Sequence, residues 1–234
     1  KLIFSLITLC LFSVTTTGQT IQNLIDTVDS SVLEQIVSEF SGEQPTTVNG
    51  TEVTILNRQH ANNDLSAAYL VEKLQGFNNL SIVEQPFNTV GKNVIATQLG
   101  QTNPNDIYLI CGHYDTIADY CADDNATGTA AILEIARILS NQCMENTIVY
   151  AFWDEEEIGL RGSRFYADNA NSENLNILGV INLDMIGYDG DEPGQSGDND
   201  FDIDVRNYAN STQIATDLVN VVSTHNLDLV SNIV

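Results

Sequence analysis

The chain has 234 residues, 43% of them hydrophobic, enough for one sizeable core and short of two typical domains. Thirty-two acidic residues against eight basic ones give a net charge of -24, which argues against nucleic acid and anionic membranes as partners. Acidity on this scale mostly makes a well-solvated surface, so any chemistry must come from localised groups.

Residues 1–18, KLIFSLITLCLFSVTTTG, start with Lys1, run through mostly apolar residues to Val14, and close on small residues. This reads as a secretory signal peptide, too short to span a bilayer. The expectation is an exported mature chain beginning near Gln19. Export permits disulfides, but beyond the leader only Cys111, Cys121 and Cys143 remain, and Cys111 and Cys143 read as small buried hydrophobes.

Helical spacing of Ile21, Leu24, Ile25, Val28, Val32, Leu33, Ile36, Val37 and Phe40 predicts packing helices over 21–40, broken around Asp29 to Ser31. EVTIL at 52–56 reads as a strand, and Asn62 or Asn63 can cap a helix carrying Leu65, Tyr69, Leu74 and Phe77. Strands follow around 81–88 and 93–98. Beyond them strands and helices alternate: strand 106–111, helix 126–140, strand 147–153, helix near 161–169, strand 177–183. DGDEPGQSGDND at 189–200 reads as a surface loop. Continuous apolar strands alternating with helices predict an α/β three-layer sandwich with a mixed, largely parallel central sheet.

The unusual polar residues all sit beside these elements. His113 and Asp115 follow DIYLIC, Asp154 to Glu157 follow TIVYAFW, Asp184 follows ILGVINL, and Asp123-Asp124-Asn125 precede the helix at 126. Carboxyl ends of adjacent parallel strands line one crevice, so these motifs are expected to converge there. Two carboxylates about 4 Å apart repel by roughly 4 kcal/mol at an effective dielectric near 20, so such a cluster calls for cations, protons or open water. One imidazole with several carboxylates is a ligand set for a divalent metal, and zinc suits it. Strand alternation suggests that Glu156 and Glu157 diverge, one to the metal and one to the substrate as a base.

GHYDT (112–116), ADDNATG (122–128), DEEEIGLRGS (154–163) and NLDMIG (182–187) resemble, in this order, the motifs of the co-catalytic zinc peptidase family. That family includes secreted bacterial leucyl aminopeptidases, glutamate carboxypeptidases and glutaminyl cyclases. The resemblance implies two zinc ions, with His113, Asp123, Glu157 and Asp184 as ligands and Asp123 bridging both ions. It further implies Glu156 as general base, Asp115 as the support of His113, and a cis peptide between Asp123 and Asp124. A secreted aminopeptidase acting on peptides with a free N-terminus is the leading expectation, since an acidic mouth favours an α-ammonium group. A glutaminyl cyclase, a carboxypeptidase and a catalytically silent binding domain remain as alternatives.

The chain departs from this pattern in two places. The family's second metal also uses a downstream His, whereas here only His60 and His225 accompany His113. His225 reads as the end of an amphipathic helix and His60 as a structural or surface residue, so the expectation is a domain over 19–234 truncated at its C-terminus, ending in a new strand. Cys121 stands where the resemblance leads one to expect Gly.

Overall fold

Apolar runs that stay buried on both faces need a layer of helices on each side, and the computed structural model has this arrangement. It describes residues 20–59, 63–188, 197, 199–206 and 210–234; the predicted leader, His60 and most of the 189–200 segment lie outside them. In chain order the helices are α1 (Ile21–Ile25), α2 (Ser30–Phe40), α3 (Asn63–Gln75), α4 (Gly128–Leu139), α5 (Arg161–Ser172) and α6 (Ser211–Thr224). The strands are β1 (Thr46–Val48), β2 (Thr51–Val53), β3 (Ser81–Pro86), β4 (Lys92–Gln98), β5 (Asn103–His113), β6 (Asn146–Trp153), β7 (Asn176–Asn182), β8 (Asp200–Ile203) and β9 (Val230–Ile233).

The central 5-stranded sheet has the order β3-β4-β6-β5-β7. β5 runs parallel to both β6 and β7, while β4 is antiparallel to β3 and β6, so β4 alone points against the rest. Alternation along β6 builds the two cores. Ile148, Tyr150 and Phe152 join Val94 and Ala96 against α2, α3 and α4. Val149, Ala151 and Trp153 join Leu109 and Cys111 on the other face, where Tyr166 of α5 packs its ring 5.0 Å from that of Trp153.

The predicted break in the first helical region is real: Asp29 caps α2 by accepting a hydrogen bond from the Ser31 amide. The strand expected over 52–56 ends at Val53, because it pairs only with the short β1 through the Asn49-Gly50 turn, and Ile55 is buried in the core instead. Cys111 is buried, and burial pushes its thiol up to about 12. Cys143 lies just before β6 as expected, but it is exposed and not buried, because the turn there faces solvent.

Past β7 the packing thins. β8 and β9 pair with each other in a 2-stranded parallel sheet separate from the central one. α6 buries only Ala215, and between it and the strands β5 and β7 lies an apolar cavity of about 610 Å³, lined in part by Tyr108, Ile110, Ile181, Ile214, Leu218 and Val221.

Gly112 sets how closely the sheet end approaches the segment after β7. A Cβ there would lie 2.6 Å from the Leu183 carbonyl oxygen and 3.1 Å from Ile132 Cδ1. Gly112→Ala must therefore displace backbone and is expected to cost about 1 to 3 kcal/mol, read as a lower unfolding midpoint in denaturant. An unchanged midpoint would mean that this approach carries no constraint.

Candidate metal centre

Parallel register brings the functional ends of three strands level. His113, the last residue of β5, pairs with Trp153, the last of β6, and Cys111 pairs with Asn182, the last of β7. Everything that follows these positions emerges at one sheet edge.

Asp115 organises that edge. It is 1% exposed; its Oδ1 accepts the Glu156 amide at 3.0 Å and its Oδ2 the Glu157 amide at 3.3 Å. His113 Nδ1 lies 3.2 Å from the Asp115 carbonyl oxygen and 3.5 Å from its Oδ1. The opposite ring nitrogen, Nε2, sits 3.0 Å from Asp124 Oδ1 and 3.4 Å from Asp184 Oδ1. Burial alone would lower the His113 pKa, but its hydrogen bonds to Asp115 and Asp184 and their charges outweigh this and push it up to about 10. The ring nitrogen between two carboxylates thus holds a positive charge tightly, as a proton or as a cation in its place.

The four consecutive carboxylates divide into pairs with different work. Asp154, fully buried, accepts from the Asn63 side-chain amide at 2.7 Å, from the Lys92 main chain at 2.8 Å and from the Glu155 amide at 2.8 Å. Glu155 takes a left-handed backbone (φ 54) and pairs with Asn88 and Arg161 at 2.9 and 3.1 Å. Both are structural. β6 ends at Trp153, so Glu156 and Glu157 lie in the turn beyond it, where the Asp115 carboxylate and not strand alternation positions them. Glu157 Oε1 is buried and finds no hydrogen-bond partner among the described residues. Burial raises the pKa of Glu156 and Glu157; next in order comes the His113 charge, opposing the rise, for Glu156, and the Asp124 charge, adding to it, for Glu157.

One expected residue changes. The cluster contains Asp124 and not Asp123, and the cis peptide joins Asp124 to Asn125, one bond later than expected. Neighbouring side chains in the irregular 122–127 turn leave in different directions. Asp123 turns to the β7 side, where its Oδ1 accepts from the Gly187 amide at 2.8 Å and from the Thr127 hydroxyl at 3.2 Å. Asn125 belongs to the expected motif but carried no expected role: buried, it donates to the Leu183 carbonyl at 2.9 Å and accepts from the Gly128 amide at 2.9 Å, stitching this turn to the NLDM segment and to α4. The only signal for it was a side-chain amide just ahead of a helix start.

Among the described residues, His113, Asp124 and Asp184 form the one group of three whose donor atoms lie within 4.8 Å of one another. An imidazole with two carboxylates, the unpartnered Glu157 oxygen nearby and a surplus of negative charge all fit a divalent cation. His225 is not part of this group; it caps the C-terminus of α6, with Nδ1 2.7 Å from Gln22 Oε1.

Residues 93–229 match the model of Peptidase family M28. The chain belongs to this family. Curated relatives within reach include a probable zinc metalloprotease of Leptosphaeria maculans, 27% identical over 201 residues that make up 75% of this chain and 45% of the relative. Another, from Pyricularia oryzae, is 38% identical over 41% of this chain and 21% of its own length. This M28 chain thus spans less than half of the curated relatives it matches. In fold it is similar to the LapA aminopeptidase of Legionella pneumophila (TM-score 0.72, 15% identity, 91% of this chain and 56% of that one). It is similar also to a glutaminyl cyclase of Bacteroides thetaiotaomicron (TM-score 0.64, 18% identity, 88% of this chain and 76% of that one).

The shift from Asp123 to Asp124 has a direct test. Asp124→Asn is expected to weaken zinc binding at least tenfold in chelator competition, whereas Asp123→Asn, whose amide oxygen can still accept from Gly187 and Thr127, should bind zinc within a few-fold of the parent. The reverse order would return the ligand role to Asp123.

Asp154 gives a pH signature. Burial raises its pKa from 3.8 to about 6, so its ionised form opposes folding: its contribution is most favourable below the unfolded value and is lost as pH rises through about 6. Within that window one such group tilts stability downward by at most about 1.4 kcal/mol per pH unit. Asp154→Asn should remove this part of the slope between pH 4 and 6 in denaturant titrations, whatever it does to the absolute stability.

Proposed function

We propose that this M28 chain works as a secreted zinc-dependent aminopeptidase, releasing N-terminal residues from peptides with Glu156 as general base. The observation that carries this reading is the cluster of His113, Asp124 and Asp184, with Glu156 fastened beside it through its amide on Asp115. His113, Asp124 and Asp184 would hold one zinc ion. Glu157, whose strongest charged neighbour is Asp124, would share Asp124 toward a second ion, and His225, engaged with Gln22, does not complete that second set.

Zinc bound here supplies Lewis acidity toward the scissile carbonyl and lowers the pKa of a water. The side chain of Glu156 takes the proton from the attacking water and passes it to the departing amine. Asp115 keeps the amides of Glu156 and Glu157 in place and holds the His113 ring. The carboxylate-rich mouth attracts the α-ammonium of a free N-terminus and repels a C-terminal carboxylate, which favours aminopeptidase over carboxypeptidase action. Secretion rests on the leader-like residues 1–18. Among the described residues no helix is long and apolar enough to cross a membrane.

Glu156→Gln should retain zinc and the unfolding midpoint while turnover of aminoacyl-anilides falls by about 10² to 10⁴. Chelator should abolish turnover of the parent, and N-acetylated substrates should resist it. Cleavage of blocked peptides, or cyclisation of N-terminal glutamine in place of hydrolysis, would overturn the aminopeptidase assignment. Glu156→Gln with parental turnover would overturn the role of the base.

A further inference from the structure

Arg58 lies outside every motif discussed so far. It sits in the irregular stretch between β2 and α3, and it is fully buried. A guanidinium in such a place needs a partner for nearly every N–H, and it is normally met by a carboxylate. Here, among the described residues, its side-chain hydrogen bonds go to main-chain carbonyls. Nε donates to Tyr114 at 2.9 Å, Nη1 to Phe40 at 2.7 Å and Tyr120 at 3.1 Å, and Nη2 to Cys121 at 2.9 Å. The Phe40 ring lies under the guanidinium carbon at 4.9 Å. The Arg58 amide adds a bond to Thr116 Oγ1 at 3.1 Å.

The carbonyls it gathers are not arbitrary. Tyr114 separates His113 from Asp115. Tyr120 and Cys121 lead directly into the turn that delivers Asp124, and both hold left-handed backbones (φ 68 and 41) although neither is glycine. Consecutive residues in that region persist only where their surroundings over-determine them. One guanidinium therefore grips both ends of the 114–121 loop, with the strand-end ligand on one side and the turn ligand on the other. Burial lowers its pKa to about 10, with Cys121, Asp115, Asp124 and Glu157 acting the other way, so it stays cationic at neutral pH beneath the acidic cluster.

We propose that Arg58 is a positioning residue of the metal centre, setting the separation between His113 and Asp124 by clamping the Tyr114, Tyr120 and Cys121 carbonyls. The inference rests on the reading of His113, Asp124 and Asp184 as zinc ligands. Lysine cannot replace it: an ammonium has a single nitrogen and no planar fork to reach carbonyls in several directions.

The test compares the parent, Arg58→Lys and Asp124→Asn in the purified protein. Zinc affinity is read by chelator competition, the ligand geometry by the visible spectrum of the cobalt-substituted protein, and folding by circular dichroism. A folded Arg58→Lys with zinc affinity reduced at least tenfold and an altered cobalt spectrum is the expected result. Parental affinity and an unchanged spectrum in folded Arg58→Lys would overturn the proposal. If Arg58→Lys does not fold, Arg58→Gln carries the test, since its uncharged side-chain amide still donates to one or two of these carbonyls but cannot span all of them. Zinc affinity weakened several-fold supports the clamp, and parental affinity overturns it. Failure of the ligand reading looks different: Asp124→Asn would then bind zinc as the parent does.

Discussion

The arrangement depends on one carboxylate, that of Asp115, which receives two amides from the turn after β6 while its own segment leaves β5. Parallel strands put their carboxyl ends side by side, but they do not say how the chain continues past them. Asp115 fixes that continuation for both strands at once. Because it also sits against Nδ1 of His113, the imidazole cannot turn without disturbing the glutamates. The centre is thus a coupled set, in which the orientation of the ring and the position of the Glu156 backbone share a common support.

Charge density is the second constraint. Asp115, Asp124 and Asp184 crowd Glu156, and Asp124, Asp115 and Glu156 crowd Glu157, each adding to the cost that burial already sets on ionising these two glutamates. The chain answers in part with positive groups of its own, the His113 ring and the Arg58 guanidinium, and in part by removing Asp154 and Glu155 from the crowd. Those two are bound to Asn63, Lys92, Asn88 and Arg161 instead. Asp124 and Asp184 keep part-exposed side chains, where a cation can meet them. A site that is uncomfortable without cations is selective for them, because the same carboxylates that repel each other supply the attraction.

Much of this was legible before any coordinates. The continuous apolar runs at 106–111, 147–153 and 177–183 announced buried parallel strands, and their polar successors announced a shared edge. What could not be read was direction within an irregular turn. Asp123 and Asp124 are chemically identical and adjacent, and periodicity offers no rule for a segment that is neither helix nor strand. The structure separates them through partners outside the turn, Gly187 for one and His113 for the other. Arg58 escaped for a similar reason: a lone arginine in LNRQH looks like surface, and only the carbonyls converging on it reveal otherwise. The short reach of β2 was likewise hidden, since pairing length depends on the partner strand as much as on composition.

The thin contact under α6 has a consequence for how the molecule opens. Helices α3 and α4 sit on a continuous apolar floor, whereas α6 spans a cavity and buries a single alanine. Protection of main-chain amides from solvent exchange follows local opening free energy, and that free energy follows buried apolar contact. The amides of β5, β6 and α4 therefore belong to the slowest-exchanging unit of the molecule, with those of α6 in a faster one. The ligand-bearing ends of the central strands sit on the slow side of this divide, so the fold can breathe at α6 on a short timescale while His113 and Asp115 keep their places.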